Sequence, residues 1–232
     1  MRINKFIASK TSYSRRKAEE LILQKKVKVN GEILNSLSYL VNDGDEVELD
    51  GDIISDVKTK KYYYLFNKPK NVISSVSDNF GRLCVTDFFP SDISVYPVGR
   101  LDYDSSGLIL VTNDGDIANK LTHPRSHISK TYIVTLNGRL SENQMKQFRE
   151  GILLDGKKTL PAEISLYDFS ENSYRVVLYE GRNRQIRNMI SALGREVKEL
   201  KRISIGKIKI GRISEGKYRK LTPDEQKYLF EL

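Results

Sequence analysis

The sequence predicts an α+β protein in two parts, a small helix-and-sheet module followed by a larger, strand-rich one. Three observations point there. Strand-like runs dominate, and helices interrupt them irregularly, unlike the regular β-α alternation of a doubly wound sheet. Residues 1–31 carry nine Lys or Arg against Glu19 and Glu20, whereas from Tyr62 onward apolar strand patterns take over. Between the two, "SDVKTKK" (55–61) is short, polar and charged, which suits a linker. No fixed-period repeat or low-complexity tract interrupts this order.

The elements follow from local signals. Ile3, Phe6 and Ile7 fit one helical face, and Ser14 is a good N-cap for a second helix that turns Ala18, Leu21 and Ile22 inward. "KVKVNGEIL" alternates polar and apolar residues around Asn30-Gly31, a strong hairpin signal, and "DGDEVELDGD" adds a turn, a short strand and an acidic patch. In the second part "YYYLFNKPKNVISS" predicts a strand, a Pro turn and another strand. "SVYPVGRL", "GLILVTND" and "KTYIVTLNG" read as strands, and "AEISLYDF" with "SYRVVLYEG" as a strand pair. Helices are expected over "DIANKLTHP", begun by Asp116, over "SENQMKQFREGI", capped by Ser141, and over "NRQIRNMISALG", closed by Gly194. Strand-like runs in "ELKRISIGKIKIG" and a last helix in "KYRKLTPDEQKYLF" complete the chain.

Composition narrows the function classes. The chain has 232 residues, 39% hydrophobic, so a buried core is expected. A net charge of +9 favours an anionic partner such as nucleic acid. No apolar run approaches the ~20 residues of a membrane span, and the start lacks the apolar segment of a signal peptide. Cys84 is alone, so neither a disulfide framework nor a cysteine metal site is expected, and two His are too few for a histidine-rich centre. A cytoplasmic protein is the simplest expectation.

One stretch, "VGRLDYDSSGLILVTNDGD" (98–116), allows three readings. Asp102, Asp104, Ser106 and Gly107 resemble the opening of a calcium loop, but Asn113 stands where a bidentate Glu belongs and the middle is strand-like. The second reading is a carboxylate site. Asp102, on a loop after a strand and two residues from Arg100, would act as nucleophile or base. The third is a solvated turn, since Asp and Gly are ordinary turn residues. Asp104, Asp114 and Asp116 are assigned to that last class, Asp116 as a helix cap. A second concentration, "EGRNRQIRNMISALGREVKELKRISIGKIKIG", crowds Arg182, Arg184, Arg187 and six further cations together. Beside a basic N-terminal module, such a run suits a nucleic-acid footprint better than an idle solvated face. Arg187, within the apolar stretch of Ile186, Met189 and Ile190, is expected to face inward and pair with Asp102. Tyr132 sits in a strand and either fills the core or stacks on a base.

Taken together, "GRLDYDSSGLILVTNDGD", "KTY" and "EGRNRQIRNMI" resemble the signature segments of ribosomal RNA pseudouridine synthases, and "SRRKAEELILQKKVKVNGEIL" resembles an S4 RNA-binding domain. The order and combination are those of the RsuA/RluB type, and the resemblance covers nearly the whole chain. It implies a small S4-like αβ domain over 1–57. A larger catalytic domain over 61–232 would follow, with a mixed, mostly antiparallel sheet and flanking helices. It implies Asp102 as nucleophile, Arg100 near a flipped-out nucleotide, Tyr132 stacking on the target base, Arg187 pairing with Asp102, and Leu200 as an apolar contact beside the uracil. Arg15, Arg16, Lys17, Lys28, Arg182 and Arg184 would bind RNA. Two positions depart from the pattern: Arg184 stands where many members have His, and Asn188 where a second basic residue is common. The activity implied is isomerisation of a uridine in ribosomal RNA, large-subunit RNA slightly favoured, by a monomer that needs no cofactor or metal and no membrane. The substrate would be the RNA or a ribosomal-subunit assembly intermediate. The rival reading is a non-catalytic S4-type RNA-binding or ribosome-assembly factor, which would explain the charge but would not require Asp102, Tyr132 and Arg187 together.

Overall fold

The computed structural model describes residues 1–55 and 59–232. The chain divides into two compact units, Met1–Lys61 and Tyr62–Leu232.

The first unit holds α1 (Ile3–Lys10), α2 (Arg15–Leu23) and four short strands: β1 (Val27–Val29), β2 (Glu32–Ile33), β3 (Val47–Leu49) and β4 (Asp52–Ile53). Ile3 and Ile7 from one helix and Ala18, Leu21 and Ile22 from the other bury against Val27, Val29, Val47 and Leu49. Ser14 caps α2 by accepting from Lys17 N. Asn30 and Gly31 both take positive φ, as a two-residue hairpin turn requires, and set Val29 opposite Glu32. The sheet order is β2-β1-β3-β4, with every pairing antiparallel. Of the charged 55–61 segment, residues 56–58 lie outside the described residues. On either side, Ser55 O accepts from Lys10 Nζ at 2.7 Å and Thr59 Oγ1 donates to Ser9 O at 2.8 Å.

The second unit is built on a nine-stranded sheet. In chain order its elements are β5 (Tyr63–Lys68), β6 (Tyr96–Val98), β7 (Ser106–Thr112), α3 (Gly115–Thr122), β8 (Lys130–Leu136), α4 (Glu142–Glu150), β9 (Leu153–Leu154) and β10 (Lys157–Lys158). Then follow β11 (Glu163–Asp168), β12 (Ser173–Leu178), α5 (Gln185–Ala192), β13 (Val197–Ile205), β14 (Ile208–Lys209), β15 (Tyr218–Lys220) and α6 (Pro223–Phe230). The main path runs β11-β12-β8-β13-β7-β5-β15, with β14 on β13 and β6 on β7. All its pairings are antiparallel except β13 on β7, so the sheet is mixed and mostly antiparallel, as expected. β7 reads as an unbroken apolar run because both its faces are covered, and all seven of its residues are buried.

Local details differ from the sequence expectations in three places. The α3 cap is Asp114, whose carboxylate accepts from Asp116 N and Ile117 N, not Asp116, because the helix already begins at Gly115 and the cap lies two residues earlier than expected. The run after Pro69 makes only an isolated bridge, Ile73 to Cys84, instead of a full strand. A β9–β10 hairpin was not anticipated, although Asp155-Gly156, both at positive φ, is the usual signal for one.

Candidate active site

Four neighbouring strands bring separated sequence segments into one row. Tyr132 of β8 lies opposite Arg202 of β13, Arg202 pairs with Gly107 of β7, and Gly107 pairs with Lys68 of β5. The parallel β13–β7 approach depends on Gly107. Its φ is +108, and a Cβ there would run into the Arg202 backbone carbonyl. The row lies at the start of β7, so the loop that precedes this strand, Gly99 to Ser105, stands over it.

That loop is fastened from several sides. Ser74 Oγ accepts from Leu101 N at 3.0 Å and donates to Leu101 O at 2.8 Å. Asn71 N donates to Tyr103 O, and Ser105 N to Asp102 O. Asp102 is thereby held half-buried at the wall of a cleft of about 320 Å³, large enough for a nucleotide-sized group. Arg100, Tyr132, Lys130, Leu200 and Arg202 line the same cleft. Leu200 is buried, Tyr132 is half-buried, and Arg100 stands exposed at the rim.

The ion pairs differ from the sequence expectation. Arg187 does not pair directly with Asp102. Its Nη2 lies 3.2 Å from Asp104 Oδ2 and also donates to Asp104 O and Ser105 Oγ, while Nη1 donates to Val197 O. Asp102 is instead approached by Arg184, whose Nη1 is 3.8 Å from Oδ2. Arg184 is held in turn by Asp104 at 3.2 Å. Asp104 is therefore not an idle turn residue but the carboxylate that gathers both arginines. This geometry also removes the calcium-loop reading, since the second carboxylate of that loop is engaged by guanidinium groups. The reason lies in the start of α5. Arg184 takes a left-handed φ of +46 at the N-cap, which turns its side chain back across the loop, and Arg187 follows one turn later on the inward side.

The electrostatics follow from burial and these contacts. Burial works against the charged form of Asp104, but the Arg184 hydrogen bond and the charges of Arg187 and Arg184 outweigh it and hold the carboxyl below the usual aspartate range. Burial also holds Arg187 below the usual arginine range, with Asp104 opposing. Lys68 has no exposed surface; its Nζ donates to Pro69 O and Val72 O, both at 2.8 Å. Burial brings it down to about 8, while the charges of Asp102 and Asp104 pull the other way. Lys130 is lowered by burial and then by the Arg202 charge, and the buried Arg202 Nη2 has no hydrogen-bond partner among the described residues.

Sequence reasoning did not single out Asp104, Lys68 or Arg202. Lys68 carried a signal, a lysine at the end of an apolar strand and just before Pro69. Asp104 carried none beyond its spacing. Of the residues expected to bind RNA, Arg15 and Arg16 are exposed on the first turn of α2. Lys17 is paired with Glu20 at 3.0 Å and Lys28 with Glu48 at 2.8 Å. Arg182 lines the cleft but is committed to Glu180 and to the carbonyls of Lys157 and Lys158, so it ties the β9–β10 hairpin to the loop before α5.

Comparison with known proteins agrees with this architecture. Residues 62–192 match the RNA pseudouridylate synthase family and residues 1–47 match the S4 domain. The ribosomal large subunit pseudouridine synthase B of Bacillus subtilis (strain 168) is 42% identical over 233 residues, 98% of this chain and 95% of that protein. The ribosomal small subunit pseudouridine synthase A of Haemophilus influenzae is 36% identical, covering 97% of each chain. A crystal structure of a pseudouridylate synthase superposes with a TM-score of 0.72 at 34% identity, over 99% of both chains. With its catalytic-type sheet preceded by an S4 domain, the chain belongs to the RNA pseudouridylate synthase family.

Proposed function

We propose that the protein isomerises a specific uridine to pseudouridine in ribosomal RNA, with Asp102 as the nucleophile. The observation that carries this reading is the placement of Asp102 on a braced loop at the wall of a cleft shared with Tyr132, Leu200 and two buried or half-buried cations. In the reaction the N1–C1′ bond of uridine breaks, the uracil turns, and C5 bonds to C1′. C5 then loses its proton and N1 gains one, so the formula is unchanged. The target base must leave its stack, at a cost of a few kcal/mol (roughly, depending on pairing). Tyr132 supplies a replacement stacking face and Leu200 an apolar contact. Arg184 and Asp104 fix the charge environment of Asp102, and Arg100 stands at the rim where the nucleotide enters.

In this reading the S4 unit supplies phosphate affinity through Arg15 and Arg16. The protein works as a monomer in the cytoplasm on ribosomal RNA or an assembly intermediate. Large-subunit RNA is favoured, because the relative named for that subunit is 42% identical against 36% for the small-subunit one. The test is a map of pseudouridines in ribosomal RNA from cells with the gene, without it, and with Asp102→Asn in its place. One modified site should vanish in both altered strains. Purified Asp102→Asn should still bind RNA, since affinity comes mostly from phosphate contacts. A variant that converts uridine at the normal rate sinks the proposal.

A further inference from the structure

The loop between β5 and β6 presents an aromatic side chain that the fold itself does not use. Phe80 keeps 82% of its surface exposed, with Val76 and Leu83 exposed beside it. Single exposed apolar residues are ordinary on protein surfaces. This one is unusual because the loop around it is firmly built. Asp78 accepts from the backbone N–H of Phe80 at 2.9 Å and of Arg82 at 3.1 Å. It also accepts a two-pronged bond from Arg82, at 3.1 Å from Nε and 2.6 Å from Nη2. Those bonds, the Arg82 side chain first, bring the Asp78 carboxyl down to about 2. The Arg82 guanidinium, fixed in this way, lies 5.1 Å from the centre of the Phe80 ring. The foot of the loop is closed by Ile73 N to Leu83 O and Thr86 Oγ1 to Val76 O.

The same loop is fastened to the segment that carries Asp102. Its first residues, Asn71 and Ser74, bond to Tyr103 and Leu101, the two neighbours of Asp102 in the chain. An outward-facing ring backed by a guanidinium is thus carried on a loop whose first residues are tied to the segment that holds Asp102.

From this geometry we infer that Phe80, with Arg82 beside it, is a stacking platform for an unpaired RNA base neighbouring the target nucleotide; the inference rests on the proposed function. Extruding one base deprives its neighbours of a stacking partner, and an aromatic face restores it. Every base has such a face, so the platform is sequence-tolerant. Arg82 Nη1, which Asp78 does not engage, remains for a phosphate or a base edge. A chain of net charge +9 favours a polyanion with flat rings over an apolar protein partner.

The experiment uses the full chain as wild type, Phe80→Ala and Phe80→Tyr. Binding is measured by fluorescence anisotropy to a single-stranded 20-nucleotide oligouridylate and to a blunt 20-base-pair RNA duplex. Phe80→Ala should lose roughly 5- to 150-fold in affinity for the single strand and less than about twofold for the duplex. Phe80→Tyr should restore binding. The salt slope should stay unchanged, because no phosphate contact is removed. Thermal midpoints should be equal, since the ring is exposed. Equal losses on both RNAs, or a lowered midpoint in Phe80→Ala, overturn the platform. So does unchanged RNA binding, which would assign the surface to a protein partner. Pseudouridine formation is scored separately on ribosomal RNA from cells lacking the gene. A wild type without activity defeats the proposed function, whereas the single-strand preference of Phe80 is read from binding alone.

Discussion

Replacing Asp104 by Asn keeps the shape of the side chain and removes the charge that gathers Arg184 and Arg187. The cost can be worked from the contacts. A hydrogen bond to a charged group contributes about 1.5–3 kcal/mol. The Arg187 side chain is 13% exposed and the Asp104 side chain 46%, so solvent screens part of the attraction. Asn still accepts one bond, and Arg187 keeps Val197 O and Ser105 Oγ. A loss of about 1–2 kcal/mol remains, which for a chain of this size lowers the thermal midpoint by about 2–8 °C. The pH dependence gives a second handle. The Asp104 carboxyl lies below its ordinary value in the fold, so its contribution is fully present above about pH 4 and is lost as pH falls through the folded value. Wild type and Asp104→Asn should therefore differ in urea midpoint at pH 7 and converge at lower pH. Turnover reports the positioning role. Arg184 loses its anchor 3.2 Å away and no longer holds a fixed place beside Asp102, and a displacement of about 1 Å can cost up to 100-fold. We expect a tenfold or greater fall in kcat on ribosomal RNA with KM little changed. Wild-type stability at pH 7 together with undiminished turnover would refute the hub assignment.

Three other predictions follow from separate features. Lys68→Met removes a buried amine that titrates at about 8 instead of the ordinary 10.5. Between those values the unfolded chain binds more protons than the fold, so wild-type stability should rise relative to the variant from pH 8 to 10.5. The rise should reach at most about 3 kcal/mol in urea titrations, and a flat difference contradicts the burial argument. Replacing Arg15 and Arg16 together by Ala should lower the log–log salt slope of RNA binding by about 1.5 and leave kcat on saturating RNA nearly unchanged; an unchanged slope removes α2 from the RNA surface. Gly107→Ala should cost more than about 3 kcal/mol in thermal or urea unfolding, because the methyl combines a strained φ with a clash against the Arg202 carbonyl; a fully stable variant would mean that β7 and β13 can part freely.

Much of this protein is legible in its sequence. Periodicity placed the helices of the first unit, Ser14 and Ser141 marked the caps of α2 and α4, and Asn30-Gly31 fixed a hairpin, because each signal acts within a few residues of backbone. The α+β class and the mixed, mostly antiparallel sheet were expected, and the short motifs already resembled those of the family. What sequence could not decide was partnership across distance. Which arginine meets which aspartate depends on the left-handed turn at Arg184 and on how far α5 is rotated. Local spacing therefore suggested Arg187 for Asp102, whereas the fold gave Arg187 to Asp104 and Arg184 to both. The burial of Lys68 likewise follows from the register of β5 on β7 and β7 on β13, which puts the row from Tyr132 to Lys68 beneath one loop. Chain propensity is a short-range property and is written in neighbouring residues. Charge pairing in a cleft is set by the packing of strands that meet only when the sheet closes, and only the tertiary structure carries it.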